Sequence, residues 1–486
     1  MRNKFIKLAV FVSLITIHVL YILEARNYIT LELVFPVWLL SHANTFVSES
    51  QSMYPPALFS IVSNIYKFTN NLLLSIKIVQ ISIVIIIDMI LFYYLNKKFG
   101  FKLAAIGLSL YIPWQVFFRG NYLWFDIATI PFLAISFIYF EKYIKGLETK
   151  HLLFSSLALS LGYFFKMTIF WVYALYLVWI VFMCFSKEFK VQKFVSSLVI
   201  LFLPIVFAIP LNFLIVMSKG TFNFTFYWNI IMQIFVYPRL PSLSRFLTPG
   251  YYSVSILMVC IYIFSCFIIG KFSKIPGYTK LFLYSFTLVS LANIFPRWSD
   301  FRVQPFLVFL TIIFVYAIYT ISTSKKLRNW IIIALFATFT FTTFLIFINR
   351  IRTEKKVPEF LSQSYVEKFT PEEKTNLING KDIFLYDQPL YNLEPIASDK
   401  TLDMVGSINL ALRDADIFYR TTSWRKALDY VSNRNPDLII VPYNIYNRLI
   451  SGFDLTNFEK HVIRYYQYHD TIENTFFIYA KKQQNL

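Results

Sequence analysis

Thr30-Leu-Glu-Leu-Val-Phe-Pro-Val-Trp38, followed by Glu49-Ser-Gln-Ser-Met-Tyr-Pro-Pro56, is a polar interruption in an otherwise apolar chain. It lies between a first apolar run at 8–23 and a second at 71–95. The side of the membrane that it faces fixes the reading of everything after it.

Of the 486 residues 57% are hydrophobic, 54 are Phe, and mean hydropathy is +0.56. A soluble domain does not need that much apolar surface, so the class is a polytopic α-helical membrane protein. Further apolar segments fall at 103–118, 126–140, 152–165, 168–185, 194–217, 251–270, 281–295, 304–322 and 329–349. About 11 transmembrane helices result. Three segments, 103–118, 126–140 and 152–165, are short for a full crossing, which implies helices that stop at a recessed site or extend beyond these limits. The N-terminal run lacks a small-x-small cleavage site, which favours an uncleaved first span.

The net charge of +19 does not imply nucleic acid. The basic residues recur in every second connection: Arg2, Lys4, Lys7; Lys97, Lys98, Lys102; Lys142, Lys145, Lys150; Lys187, Lys190, Lys193; Lys271, Lys274, Lys280; Lys325, Lys326, Arg328. The positive-inside rule makes these connections cytoplasmic. The N-terminus is then cytoplasmic, and loops 24–70 and 218–250 are external. Pro55-Pro56 opens an interfacial helix running to Lys67.

Residues 350–486 change character and hold eighteen of the 27 acidic residues. Segments 382–387, 437–441 and 474–479 read as short buried strands, and 423–431 as an amphipathic helix. The expectation is a membrane domain over 1–349 and a small extracytoplasmic α/β domain over 350–486. Its bland role is a lid or an acceptor-docking surface. Cys184, Cys260 and Cys266 sit in apolar runs and form neither a disulfide framework nor a metal pattern.

Only nine acidic residues precede residue 350. Glu141, Glu148 and Glu188 fall in cytoplasmic connections. Asp88 falls inside the second span, where pairing with a neighbouring helix is the expected role. The external face keeps Glu24, Glu32, Glu49, Asp126 and Asp300. Asp126 follows Arg119-Gly-Asn-Tyr-Leu-Trp-Phe125 and either caps a helix facing water or belongs to a site. Lys166, in Leu161-Gly-Tyr-Phe-Phe-Lys166, either snorkels or meets a lipid-linked phosphate. Pro296-Arg-Trp-Ser-Asp-Phe-Arg-Val-Gln-Pro305 puts Arg297, Asp300 and Arg302 within six residues on the external side. Arginine there matches phosphate oxygens, or pairs with Asp300 in the turn. The sequence carries no His-Glu-x-x-His, and the first loop has no Asp-x-Asp pair.

Together these elements resemble the GT-C superfamily of glycosyltransferases. Such enzymes use polyprenyl-phosphate sugars and include protein O-mannosyltransferases and the lipid A aminoarabinose transferase. The resemblance rests on Glu32 with Trp38 downstream, Tyr54-Pro55-Pro56, Asp126 opening a span, Gly162 to Lys166, and Arg302 with Pro305. It covers residues 1–349. The first-loop acid is usually Asp, whereas here it is Glu32, with Glu49 as rival. The resemblance implies inverting, metal-independent transfer of a hexose to a glycan, lipid or protein acceptor. The implied base is Glu32, then Asp126 or Glu49. The implied donor-phosphate ligands are Lys166, Arg302, Arg297, Arg119 and Tyr54. No cofactor is implied beyond the lipid-linked sugar as co-substrate, and the partners are that donor, the acceptor and membrane lipids. Two other classes compete: a polysaccharide polymerase or ligase of another fold, and a lipid-linked-sugar flippase or transporter. The transporter reading predicts charges lining a path through the bilayer and internal repeats, and no repeat is evident.

Overall fold

The computed structural model describes residues 2–24, 55–120, 122–185, 191–218, 251–294 and 300–323. It also describes Leu33, Val37, Leu40 and Ser41, and C-terminal segments between 383 and 482 that include five strands. The chain divides into two compact units, one of Met1–Arg26, Phe46–Val62 and Leu74–Lys356, the other of Asn27–Thr45, Ser63–Leu73 and Val357–Leu486.

The described helices are α1 (Arg2–Glu24), α2 (Ala57–Thr69), α3 (Leu72–Phe99), α4 (Phe101–Phe117), α5 (Phe125–Gly146), α6 (Thr149–Tyr163), α7 (Phe170–Met183), α8 (Val191–Ser218), α9 (Tyr251–Phe272), α10 (Gly277–Ser290) and α11 (Gln304–Thr323). Helix is the form that satisfies backbone groups within a single segment in lipid. Six stretches are long and apolar enough to cross a membrane: Lys4–Leu23, Leu74–Phe99, Phe125–Gly146, Val191–Ser218, Ser255–Phe272 and Phe301–Thr323. The chain is a multi-pass membrane protein. The eleventh expected span, 329–349, lies outside the described residues. Pro55-Pro56 does open a helix, α2, as expected.

Helices α5 and α11 are the most enclosed of these six, and α1 the least. Phe137 of α5 packs on Phe282, Phe286 and Phe309, joining α10 and α11 to the core. Phe140 stacks on Tyr176 of α7 at 3.6 Å between centroids. Small hydroxyl side chains tie the same helices. Ser136 bonds Ser155 and Tyr176, both at 2.8 Å. Such interhelical hydrogen bonds hold a bundle in which lipid is as apolar as the helices themselves. Phe207 and Leu214 of α8 stay exposed, as a lipid-facing side requires.

One open alternative is decided and one expectation changes. Segment 126–140 extends beyond its sequence limits: α5 runs on to Gly146. Glu141 therefore sits inside a helix and is buried, rather than lying in a connection. Lys98 and Lys145 both donate to its carboxylate, and Tyr94 does so at 3.1 Å. Three donors offset the cost of burying the charge and let the helix continue past it.

The second unit contains a five-stranded sheet in the order β2-β1-β3-β5-β4. The strands are β1 (Ile383–Tyr386), β2 (Phe418–Thr421), β3 (Leu438–Pro442), β4 (Tyr466–Ile472) and β5 (Phe476–Lys481). The three expected strands are β1, β3 and β5. β1 is parallel to both β2 and β3, so the chain crosses over between them. β5 runs antiparallel to β3, with Ile439 opposite Tyr479, and antiparallel to β4. Leu438 and Ile439 are buried. The expected helix at 423–431 lies outside the described residues.

Candidate active site

Helix α4 ends at Phe117 and the chain turns over 118–120. Arg119 takes a left-handed φ of 56° there, uncommon for a residue with a side chain. Tyr122 and Trp124 stack at 5.2 Å, and the chain then bends into α5. Trp124 is the N-cap residue of α5 and makes no side-chain cap. Asp126 falls in the first turn and is fully buried. It is therefore not a water-facing cap.

Lys166 comes to Asp126 from the other side. Helix α6 ends at Tyr163, and the amides of Phe164, Phe165 and Lys166 bond back to Leu161 and Gly162. Lys166 is extended, and a single 3-10 turn, Met167–Ile169, leads into α7. Gly162 explains the tight approach. A Cβ there would stand 2.2 Å from Ile169 Cδ1 and 3.1 Å from Phe132 Cβ of α5. The Lys166 ammonium is buried and donates to Asp126 Oδ1. Asp126 Oδ2 has no hydrogen-bond partner among the described residues. Lys166 lies in the turn, outside the spans. Burial pushes its ammonium down to about 8, with Asp126 pulling upward and Arg302 adding to the fall.

Arg302 lies in a 3-10 turn, Asp300–Val303, just before α11. Its neighbour Phe301 packs on Tyr122 at 4.9 Å and on Trp124 at 5.6 Å. That contact sets Arg302 beside the start of α5, within electrostatic reach of both Asp126 and Lys166. The Pro-Pro turn arrives at the same place. The Ala57 amide donates to the Phe164 carbonyl at 3.4 Å, and Phe59 meets Phe125 edge to face at 5.0 Å.

Three of the expected residues, Asp126, Lys166 and Arg302, thus form one cluster, and Arg119 sits in the turn that leads to it. Glu32, Glu49, Tyr54 and Arg297 lie outside the described residues, as does the Asp300 side chain. Two cations face one carboxylate, so the cluster carries surplus positive charge in a low-dielectric setting. Such a place favours an anion able to accept several hydrogen bonds. Among the described residues no group of three or more His, Cys, Asp or Glu could hold a metal ion.

Sequence reasoning missed a set of polar groups under the turn. His18, Gln80, Gln115 and Gln304 are all buried. The signal available was their type: one His and three Gln inside apolar spans, where each needs a partner.

No family model matches the chain by sequence, and neither does any curated protein. Solved structures do match in shape. ArnT from Cupriavidus metallidurans, bound to undecaprenyl phosphate, aligns over 98% of each chain at 10% identity with a TM-score of 0.57. The oligosaccharyltransferase of Archaeoglobus fulgidus in its apo form aligns over 98% of this chain and 75% of its own, at 9% identity and a TM-score of 0.52. Both have GT-C architecture.

The chain has a GT-C fold.

At such low identity the likeness is one of fold. The cluster of Asp126, Lys166 and Arg302 stands on this chain's own geometry. Within the GT-C fold it occupies the first turn of α5, the turn after α6 and the turn before α11.

Proposed function

We propose that the protein is an inverting glycosyltransferase that moves a hexose from a polyprenyl-phosphate donor to a glycan, lipid or protein acceptor on the external face of the membrane. The observation that carries this reading is the buried Asp126–Lys166 pair with Arg302 in electrostatic reach. The surplus positive charge suits a lipid phosphate that gains charge as it leaves. The undecaprenyl phosphate bound to the ArnT structure that shares the fold agrees with a donor of this class.

In the proposed step an acceptor hydroxyl oxygen attacks the anomeric carbon. The bond from that carbon to the phosphate oxygen breaks, and the phosphate departs with the electron pair. The hydroxyl proton passes to a carboxylate. Glu32 is the first assignment, with Glu49 as its rival in the same loop. Asp126 has one oxygen engaged by Lys166, so it best serves by fixing that cation and by offering Oδ2 to the acceptor. General-base help of this kind contributes about 10²–10⁴-fold. Lys166 and Arg302 stabilise the leaving phosphate, and Arg119, Arg297 and Tyr54 are the further donor ligands. No step calls for a metal. The lipid tail lies between helices, so the donor stays in the bilayer. In this reading the N-terminus is cytoplasmic and residues 350–486 are extracytoplasmic.

A panel of polyprenyl-phosphate sugars, incubated with purified protein and membrane extract as acceptor, tests this function. Donor-dependent transfer of one sugar supports it, and no transfer from any donor rejects it.

A further inference from the structure

Beneath the 118–120 turn three glutamines from three helices converge on the backbone. Gln304 of α11 donates Nε2 to the carbonyls of Gln115 and Phe118, at 2.9 and 2.7 Å. Gln80 of α3 donates to the Gly120 carbonyl at 2.7 Å. Gln115 of α4 donates to the same carbonyl at 3.0 Å. The Gly120 amide bonds back to the Gln115 carbonyl at 2.8 Å.

The Gln115 side chain is itself held from below. His18 of α1 meets Gln115 Oε1 through Nε2 at 2.9 Å and Asp88 of α3 through Nδ1 at 2.8 Å. Asp88 thus has the neighbouring-helix partner that a buried acid needs. A polar chain runs from Asp88 through His18 and Gln115 to the turn that carries Arg119. Through Gln304 it reaches the start of α11, two residues after Arg302.

Burying this many polar groups in a bilayer is costly, and apolar side chains would pack the same space. Neither Asp88 Oδ1 nor Gln304 Oε1 has a hydrogen-bond partner among the described residues, so the set is not optimised for stability alone. It ties the turn that carries Arg119 to the first residue of α11, two residues after Arg302.

We propose that His18, Asp88, Gln80, Gln115 and Gln304 form a positioning network that fixes Arg119 and Arg302 for binding the donor phosphate. The inference rests on the glycosyltransferase reading. None of the five residues touches the substrate; each acts through the two arginines.

The test is a double-variant cycle on full-length protein in nanodiscs, with undecaprenyl phosphate as the probe and thermal midpoint as a control. Gln304→Met keeps the volume and removes both donated bonds. It raises the Kd about tenfold, and in an Arg302→Ala background it raises the Kd less than about twofold, because the residue it positions is gone. If Gln304→Met does not fold, Gln80→Met replaces it, in a cycle with Arg119→Ala and with an expected rise of about threefold. Equal effects with and without the arginine, or a folded variant with unchanged Kd, overturn the network and leave the function standing. Wild-type protein that fails to bind the probe overturns the function and the network together.

Discussion

The Lys166 ammonium donates to Asp126 Oδ1 across 40 residues of sequence, with both side chains buried. Removing either residue leaves the other's charge buried without this partner, and that gives the first prediction.

Lys166→Met leaves the Asp126 carboxylate buried without its main partner and costs about 3–5 kcal/mol. Asp126→Asn/Lys166→Met together restore most of that loss, because no uncompensated charge remains. Activity returns in neither. Thermal melts of the two variants and the wild type in detergent, set beside donor hydrolysis, separate the two effects. A double variant as unstable as Lys166→Met alone contradicts the pairing.

Lys166 must be charged to hold a phosphate, and burial has brought it down to about 8. The charged form prevails below that value and is lost as pH rises through it. kcat/KM therefore falls through about pH 8, and Lys166→Arg shifts that limb upward by about one unit or more, since guanidinium stays charged. A pH–rate profile of both proteins checks this.

Gly120 stands where any Cβ would fall within 1.8 Å of the Gln115 side-chain carbon. Gly120→Ala must displace a held amide and costs about 1–3 kcal/mol by overpacking. Gly277→Ala, with nothing within 4 Å of the added carbon, leaves the melting midpoint unchanged.

The mechanism assigns the leaving phosphate to side chains alone. Transfer after exhaustive chelation should proceed at the untreated rate. A loss restored by added divalent cation contradicts the assignment of that role to Lys166 and Arg302.

Much of the fold was legible because an apolar chain makes its exceptions conspicuous. Asp126, Lys166 and Arg302 stood out as charges at the ends of apolar runs, and their helices bring them together. Glu141 misled because an apolar run ends where the first charge appears, whereas a helix ends where its backbone is capped. With Lys98 and Lys145 to neutralise it, α5 carried the glutamate inward. His18 and the three glutamines were hidden by the same logic: a count of acidic residues passes over His and Gln, and nothing local in sequence says that α1, α3, α4 and α11 meet. Glu32 and Glu49 could not be ranked because both are loop acids with no periodic pattern to place either one.

The most direct test of the central claim is transfer from radiolabelled polyprenyl-phosphate hexose by wild-type protein, Glu32→Gln and Asp126→Asn, each reconstituted in nanodiscs. The account predicts that wild type releases polyprenyl phosphate and passes the sugar on, that Glu32→Gln loses about 10²–10⁴-fold in rate, and that Asp126→Asn, which loosens Lys166, also lowers it. Wild-type protein that neither hydrolyses nor transfers the sugar, together with cellular glycosylation unchanged by either substitution, would contradict it.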